Sequence, residues 1–184
     1  TAAPGGKATY AAIRMRNKGR VTAIDKSPDR LKLVVENAER LGIKIIAPVV
    51  CDMNEFKAGQ FDRVLLDPPC SGWGTAGKNA DLRWTKTEDD ILNLSRIQTK
   101  MIDRAARLVK PGGVLVYSTC TIIRDENDQI VEEFLLRNSD FEIDPADQFF
   151  DKSVVNERGF VKTYPIADGL DGSFCARLKR KLNP

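Results

Sequence analysis

The chain has 184 residues, 42% of them hydrophobic, which is enough to bury one core around a single sheet. Its 29 lysines and arginines stand against 26 aspartates and glutamates, and a net charge of +3 is too small for nucleic-acid binding through bulk charge alone. The sequence contains no histidine, which excludes Ser-His-Asp and Cys-His mechanisms and a histidine-ligated metal. Any reaction must therefore rest on other side chains, such as cysteines and carboxylates.

The four cysteines are widely separated and form no CxxC pair, so the sequence indicates neither a zinc site nor a secreted disulfide framework. Reduced thiols in a reducing compartment fit this pattern better. No apolar stretch has the length needed to cross a bilayer, and no basic-then-apolar leader opens the chain. We therefore expect a cytoplasmic protein without a membrane partner.

Short apolar runs predict buried strands at residues 21–25, 45–50, 62–66 and 113–118. Apolar residues at helical spacing predict helices over residues 29–41, 88–109 and 125–137. Strands that alternate with helices are typical of an α/β fold with a doubly wound, mostly parallel sheet. The later runs 141–143, 160–163 and 174–178 predict further strands that close one edge of the sheet, partly antiparallel.

A glycine-rich turn, Ala3-Pro4-Gly5-Gly6-Lys7, opens the chain and leads into a helix. Glycines let the backbone approach a ligand closely, and a helix N-terminus offers N–H groups to an anion. The turn lacks the phosphate-loop pattern, and an ordinary tight turn is the alternative interpretation. In such folds this turn normally ends a strand, so we expect a strand upstream of Thr1 and a chain that begins inside a domain.

Two aspartates follow successive predicted strands, Asp25 after the first and Asp52 after the second. An acidic residue at the first position is where a nucleotide cofactor's ribose hydroxyls would be bound, through charge-assisted hydrogen bonds. Asp52 could face the adenine edge. A helix cap or turn residue is the other interpretation of each, and their serial placement favours the cofactor site.

Two cysteines lie just beyond the ends of two later strands. Cys70 stands in Asp67-Pro68-Pro69-Cys70-Ser71-Gly72, and Cys120 stands in Ser118-Thr119-Cys120-Thr121. If these strands are neighbours, about 4.8 Å apart, both thiols face one pocket. A lone cysteine is most often a small buried hydrophobe, but two at adjacent strand tips favour a reactive pair.

The segments APGGK, LLDPPCSG, LVKPGGVLVYSTCT and DGSFCARL resemble the Sun (RsmB-type) RNA 5-methylcytosine methyltransferases over nearly the whole chain. Asp81-Leu82-Arg83-Trp84 is similar to the members that act on small-subunit ribosomal RNA. The resemblance implies a Rossmann-like class I S-adenosylmethionine-dependent methyltransferase domain over residues 1–184, without the family's N-terminal RNA-binding region. The sequence departs from the family at Pro68, Asn79-Ala80 and Ser173, where Ala, His-Pro and Phe are usual.

The resemblance also implies roles for particular residues. Cys120 falls on the nucleophile and Cys70 on the second cysteine. Because carbon 5 of cytosine is a weak nucleophile, we expect Cys120 to add to carbon 6 while Asp67 supports charge at N3. The positions implied to bind S-adenosyl-L-methionine are Thr1, Ala2, Ala3, Pro4, Gly5, Gly6, Lys7, Asp25, Asp52 and Asp67. The implied partner is RNA, most simply ribosomal RNA, and we expect a monomer.

The segment after Cys70 carries a mix suited to phosphates and base stacking: Trp73, Lys78, Arg83, Trp84 and Lys86. A second basic run, residues 177–181, is at least equally consistent with a solvated tail. Alternative functions are a tRNA or DNA cytosine-5 methyltransferase, methylation at another nucleobase position, and a non-catalytic RNA-binding assembly factor. A methyl-transfer assay would separate the enzymes from the last of these.

Overall fold

A computed structural model describes residues 2–57 and 59–182, which belong to two compact units, one within residues 1–57 and the other within 58–184. Thr1 lies outside the described residues. The helices are α1 (Gly6–Arg14), α2 (Pro28–Arg40), α3 (Leu82–Thr85), α4 (Glu88–Arg107), α5 (Asp128–Arg137) and α6 (Pro165–Asp168). The strands are β1 (Val21–Asp25), β2 (Ile46–Val50), β3 (Phe61–Leu66), β4 (Val109–Thr119), β5 (Phe141–Ile143), β6 (Val161–Thr163) and β7 (Ser173–Arg180).

In the first unit, β1 and β2 form a parallel pair in which Asp25 is the partner of Val50. Helices α1 and α2 pack on this pair and close a small apolar core. Helix α2 begins where the sequence predicts, because Ser27 accepts a hydrogen bond from the Arg30 amide at 3.3 Å and Pro28 suits the first turn. The carboxyl ends of both strands therefore lie at one end of the unit.

In the second unit, β3 and β4 pair in parallel, and β7 pairs antiparallel with β4, β5 and β6. Helix α4 packs against β3, β4 and α5. It begins with a capping box, in which Thr87 and Asp90 each bond the other's backbone amide, at 3.2 and 2.9 Å. Helices in the described residues are all too short or too polar to cross a membrane.

The α/β fold class is confirmed, as are the antiparallel strands near the C-terminus. Where we expected one sheet, the described residues form two, since β1 pairs with β2 alone and β3 does not pair with either. The helix predicted over 125–137 is also divided: a 3-10 turn covers Arg124–Glu126, and α5 starts at Asp128. Asn127 breaks the helix because its backbone leaves the helical region and its side chain donates to the Thr121 carbonyl at 2.9 Å.

Candidate active site

The glycine turn of the first unit is held tightly against α2. Gly5 precedes α1 with φ of 107°, and a Cβ atom there would lie 3.0 Å from the Cα of Val34. Asn37 and Arg30 of α2 donate to the carbonyls of Pro4 and Ala3, at 3.1 and 3.2 Å. Only glycine combines this conformation with so close an approach. Gly6 and Lys7 follow on the exposed first turn of α1.

Asp25 ends β1 as predicted, and its carboxylate organises the glycine turn. The residue is only 2% exposed, and its two oxygens accept the backbone amides of Ala3, at 3.2 Å, and Ser27, at 3.0 Å. Burial alone would raise the pKa of this carboxyl, but the bonds from Ser27 and Ala3 outweigh it and hold the pKa below its usual range. A loop-holding role thus accompanies the predicted ribose contact.

Asp52 lies just after β2, at the same end of the first unit as Asp25. The Cys51 amide, one residue earlier, donates to the Asp25 carbonyl at 3.0 Å. The Asp52 side chain is exposed and accepts the Asn54 amide at 2.8 Å. This carboxylate is more exposed than that of Asp25.

Cys70 and Cys120 of the second unit meet as the sequence predicts. Leu66 at the end of β3 is paired with Tyr117 near the end of β4, so the loops that follow leave the sheet side by side. The two sulfurs are 3.4 Å apart, Cys120 exposed and Cys70 half-buried. The hydrogen bond with Cys120, and then burial, raise the pKa of the Cys70 thiol. In this contact Cys70 can act as a hydrogen-bond donor to the sulfur of the more exposed Cys120.

Asp67, the third residue assigned to the reaction, is half-buried directly after β3. Pro68, which follows it, is buried, and the Pro69 carbonyl accepts a hydrogen bond from Gln98 of α4 at 2.9 Å. The backbone between Asp67 and Cys70 is thus fixed both by two proline rings and by a helix behind it.

A buried polar network behind the cysteines was missed by the sequence analysis. Glu126 is fully buried and accepts hydrogen bonds from the Ser71 amide at 2.8 Å, from the Ser71 hydroxyl, and from Gln98 at 2.8 Å. The Ser71 and Thr121 hydroxyls are 2.8 Å apart. These residues carry no periodic signal, and Glu126 fell inside a predicted surface helix, where a glutamate is unremarkable.

The loop of Cys120 is also fixed from the other side, through two glycines. The Gly74 amide donates to the Cys120 carbonyl at 3.0 Å, and the Gly172 amide donates to the Gly74 carbonyl at 2.8 Å. A Cβ atom on Gly74 would lie 1.9 Å from the Gly172 carbonyl oxygen. The backbones touch, so no side chain can be inserted at Gly74 without moving these loops.

The predicted RNA-contacting side chains differ in their availability. Arg83 is exposed, as is Trp84, which is 87% exposed, whereas Lys78 is ion-paired with Asp171 at 2.6 Å and Trp73 is half-buried. In the basic run near the C-terminus, Arg177 is paired with Asp144 and Arg180 with Asp140. The solvated-tail interpretation of that run is thus inaccurate, because two of its arginines are structural ion pairs.

Two solved structures cover almost all of this chain. That of NSun6 from Pyrococcus horikoshii with SFG has a TM-score of 0.88 and 34% identity, and covers 100% of this chain and 47% of that one. That of a methyltransferase homolog protein from the same organism has a TM-score of 0.82 and 30% identity, covering 97% and 59%. The fold is that of the class I S-adenosylmethionine-dependent methyltransferases, with a Rossmann-like α/β architecture.

The sequence profile of the 16S rRNA methyltransferase RsmB/F family matches residues 1–179, and the chain belongs to this family. A Bacillus subtilis protein named probable ribosomal RNA small subunit methyltransferase B is 40% identical over 190 residues, covering 98% of this chain and 42% of the relative. Ribosomal RNA small subunit methyltransferase F of Vibrio parahaemolyticus is 36% identical over 185 residues, covering 97% and 39%. The chain spans about two fifths of the length of these curated relatives.

Proposed function

We propose that this chain is the catalytic part of an enzyme that transfers a methyl group from S-adenosylmethionine to carbon 5 of cytosine in small-subunit ribosomal RNA. The observation that carries the chemistry is the 3.4 Å contact between the Cys70 and Cys120 sulfurs. The family and the names of the relatives support ribosomal RNA as the substrate. Methylation of an exocyclic amine would need neither thiol.

The first unit supplies groups that fit the cofactor. The backbone of the glycine turn has no side chain at Gly5 or Gly6 to obstruct a ligand, and it precedes the N-terminus of α1. Each Asp25 oxygen has accepted one backbone amide and retains a second lone pair for a ribose hydroxyl. When bound, S-adenosylmethionine supplies a methyl group on a positively charged sulfur. We assign Ala2 to Lys7, Asp25 and Asp52 to its binding.

Cys120 provides the activation that carbon 5 needs, since the electrons of the cytosine ring are held in an aromatic system. The thiolate of Cys120 adds to carbon 6, the electron pair of the C5–C6 double bond forms a C4–C5 double bond, and the electron pair of the C4–N3 double bond moves onto N3. Asp67 supports the charge there by sharing or donating a proton. Carbon 5 then has enamine character and is able to form a bond to a methyl group.

Release of the product reverses the addition. Loss of the carbon 5 proton to a base restores the C5–C6 double bond as the Cys120 sulfur leaves with the electron pair of the C–S bond. Cys70, which lies in contact with that sulfur, donates a hydrogen bond to the departing thiolate. Cys120 thus forms the covalent bond to the base, and Cys70 assists its cleavage.

Transfer of a labelled methyl group to RNA tests this function. The purified enzyme is incubated with S-adenosylmethionine and small-subunit ribosomal RNA, and the RNA is digested to nucleosides for mass spectrometry. We expect label in 5-methylcytidine, and less or none with tRNA or with DNA of the same sequence. Label in a nucleoside methylated on an exocyclic nitrogen, or no transfer to any of the three, would contradict the proposal.

A further inference from the structure

Glu126 is the centre of the network that joins the two cysteine loops. It is 0% exposed, although a glutamate is rarely buried without compensation for its charge. The described contacts of its carboxylate are with neutral donors: the amide and hydroxyl of Ser71 and the side-chain amide of Gln98. Burial of a carboxylate costs free energy of folding, and we therefore ask what these hydrogen bonds do for the site.

The bonds of this network connect the residues that directly follow the two cysteines. Ser71 comes after Cys70, and Thr121 comes after Cys120. The Ser71 hydroxyl donates a hydrogen bond to the Glu126 carboxylate and therefore accepts one from the Thr121 hydroxyl, at 2.8 Å. Thr121 in turn accepts the Ile123 amide at 3.2 Å. The negative charge therefore sets one direction for the whole chain of hydrogen bonds.

The side chain and the backbone of Glu126 also bond to the surroundings of the two loops. Gln98 donates to Glu126 and also to the Pro69 carbonyl, at 2.9 Å, which ties the Cys70 loop to α4. The Glu126 carbonyl accepts the Tyr117 hydroxyl at 2.6 Å, which ties Glu126 to β4. Hydrogen bonds thus connect the loops that follow β3 and β4 to one buried residue, Glu126.

We propose that Glu126 is a positioning residue, which holds the loops of Cys70 and Cys120 in register so that their sulfurs remain in contact. This inference rests on the proposed function, since it assigns a purpose to the cysteine pair. Gln at this position has the same shape but presents an NH2 group toward one of its present donors. Glu126→Gln therefore disturbs the network with little change of volume.

The test combines methyl transfer with a measurement that needs no RNA. The pH dependence of iodoacetamide alkylation is followed separately at Cys70 and Cys120 by peptide mass spectrometry. In the parent enzyme we expect Cys120 to react at lower pH than Cys70. Glu126→Gln should bring the two midpoints together and lower kcat by about tenfold or more, while Kd for S-adenosylmethionine changes by less than about twofold. Glu133→Gln, which changes a partly exposed glutamate on α5, is the matched control and should alter neither.

Retention by Glu126→Gln of the parent's alkylation profile and kcat would overturn the proposal. A milder variant, Ser71→Ala, removes the hydroxyl link but leaves the amide in place, and it decides the question if Glu126→Gln does not fold. Ser71→Ala with separate, unshifted midpoints would likewise count against it. Failure of the parent enzyme to methylate cytosine would refute the proposed function, while the alkylation profiles would still report on Glu126.

Discussion

Leu66 of β3 and Tyr117 of β4 are direct partners in a parallel ladder, and this register decides which loop residues meet beyond the sheet. Because parallel strands end at the same edge, the Asp67–Gly72 loop and the loop of Cys120 emerge together. A shift of the ladder by one residue would turn β3's side chains to the opposite face. The contact between two thiols is thus a consequence of strand pairing.

The two cysteines should give opposite results when replaced. Cys120→Ala removes the sulfur that bonds to carbon 6, so it should abolish methyl transfer and form no covalent complex. Cys70→Ala allows the addition but impairs release, so it should accumulate a protein–RNA complex that survives denaturing electrophoresis. The double variant should form none, and Cys51→Ala in the first unit serves as the matched control. A complex trapped by Cys120→Ala instead would show the roles to be reversed.

Asp25→Ala should weaken binding of S-adenosylmethionine about tenfold or more, which corresponds to about 1.4 kcal/mol. It removes a ribose acceptor and also releases the Ala3 and Ser27 amides that shape the glycine turn. Titration calorimetry measures the change, and Asp29→Ala, an exposed aspartate on α2, is the control. An affinity equal to that of the parent would remove Asp25 from the cofactor site.

The depressed pKa of Asp25 also predicts how stability depends on pH. A carboxyl whose pKa is lower in the folded state stabilises the protein above its unfolded pKa of about 3.9, and this contribution is lost as the pH falls through the folded pKa. The free energy of unfolding in urea should therefore be larger for the parent than for Asp25→Asn at neutral pH. The difference should shrink in acid, and a difference that grows there would contradict the assignment.

Gly5→Ala should destabilise the protein by about 1–3 kcal/mol, because φ of 107° is strained for alanine and its Cβ would press on Val34. Gly6→Ala is a suitable comparison, since a Cβ atom there meets nothing within 4 Å. Thermal unfolding of both variants measures the contrast. Equal melting temperatures for the two variants would show that α2 can move away from the added Cβ atom without loss of stability.

Reversal of charge at Arg83 should reduce the salt dependence of RNA affinity, since one phosphate contact is lost. Arg83 lies beside the exposed Trp84 on α3, close in sequence to the Cys70 loop. The slope of log affinity against log salt for Arg83→Glu is compared with Lys100→Glu, a reversal on the exposed side of α4. A slope identical to the parent's would place the RNA elsewhere. Lys78 is a weaker choice because Asp171 already neutralises it.

The sequence predicted the parts of the site that lie at strand ends, because apolar runs locate strands and polar residues after them are easily seen. The positions of Cys70, Cys120, Asp25 and Asp52 just at or beyond strand ends were predicted in this way, and their roles stay predictions. Glu126 was not, since burial of a single carboxylate depends on contacts between loops far apart in the chain. The ion pair of Lys78 was missed for the same reason. Periodicity reports which face of an element is apolar, and says nothing of which polar groups meet beneath a loop.

The backbone contact between Gly74 and Gly172 ties the turn before β7 to the loop of Cys120. Gly172 immediately precedes β7, and Gly74 bonds directly to the Cys120 carbonyl. A displacement of the turn before β7 has no compressible side chain to absorb it and must be transmitted to Cys120. Ligands or insertions that displace this turn would thus move the Cys120 thiol from a distance. A small molecule bound at the turn could therefore inhibit the protein without competing with the proposed cofactor.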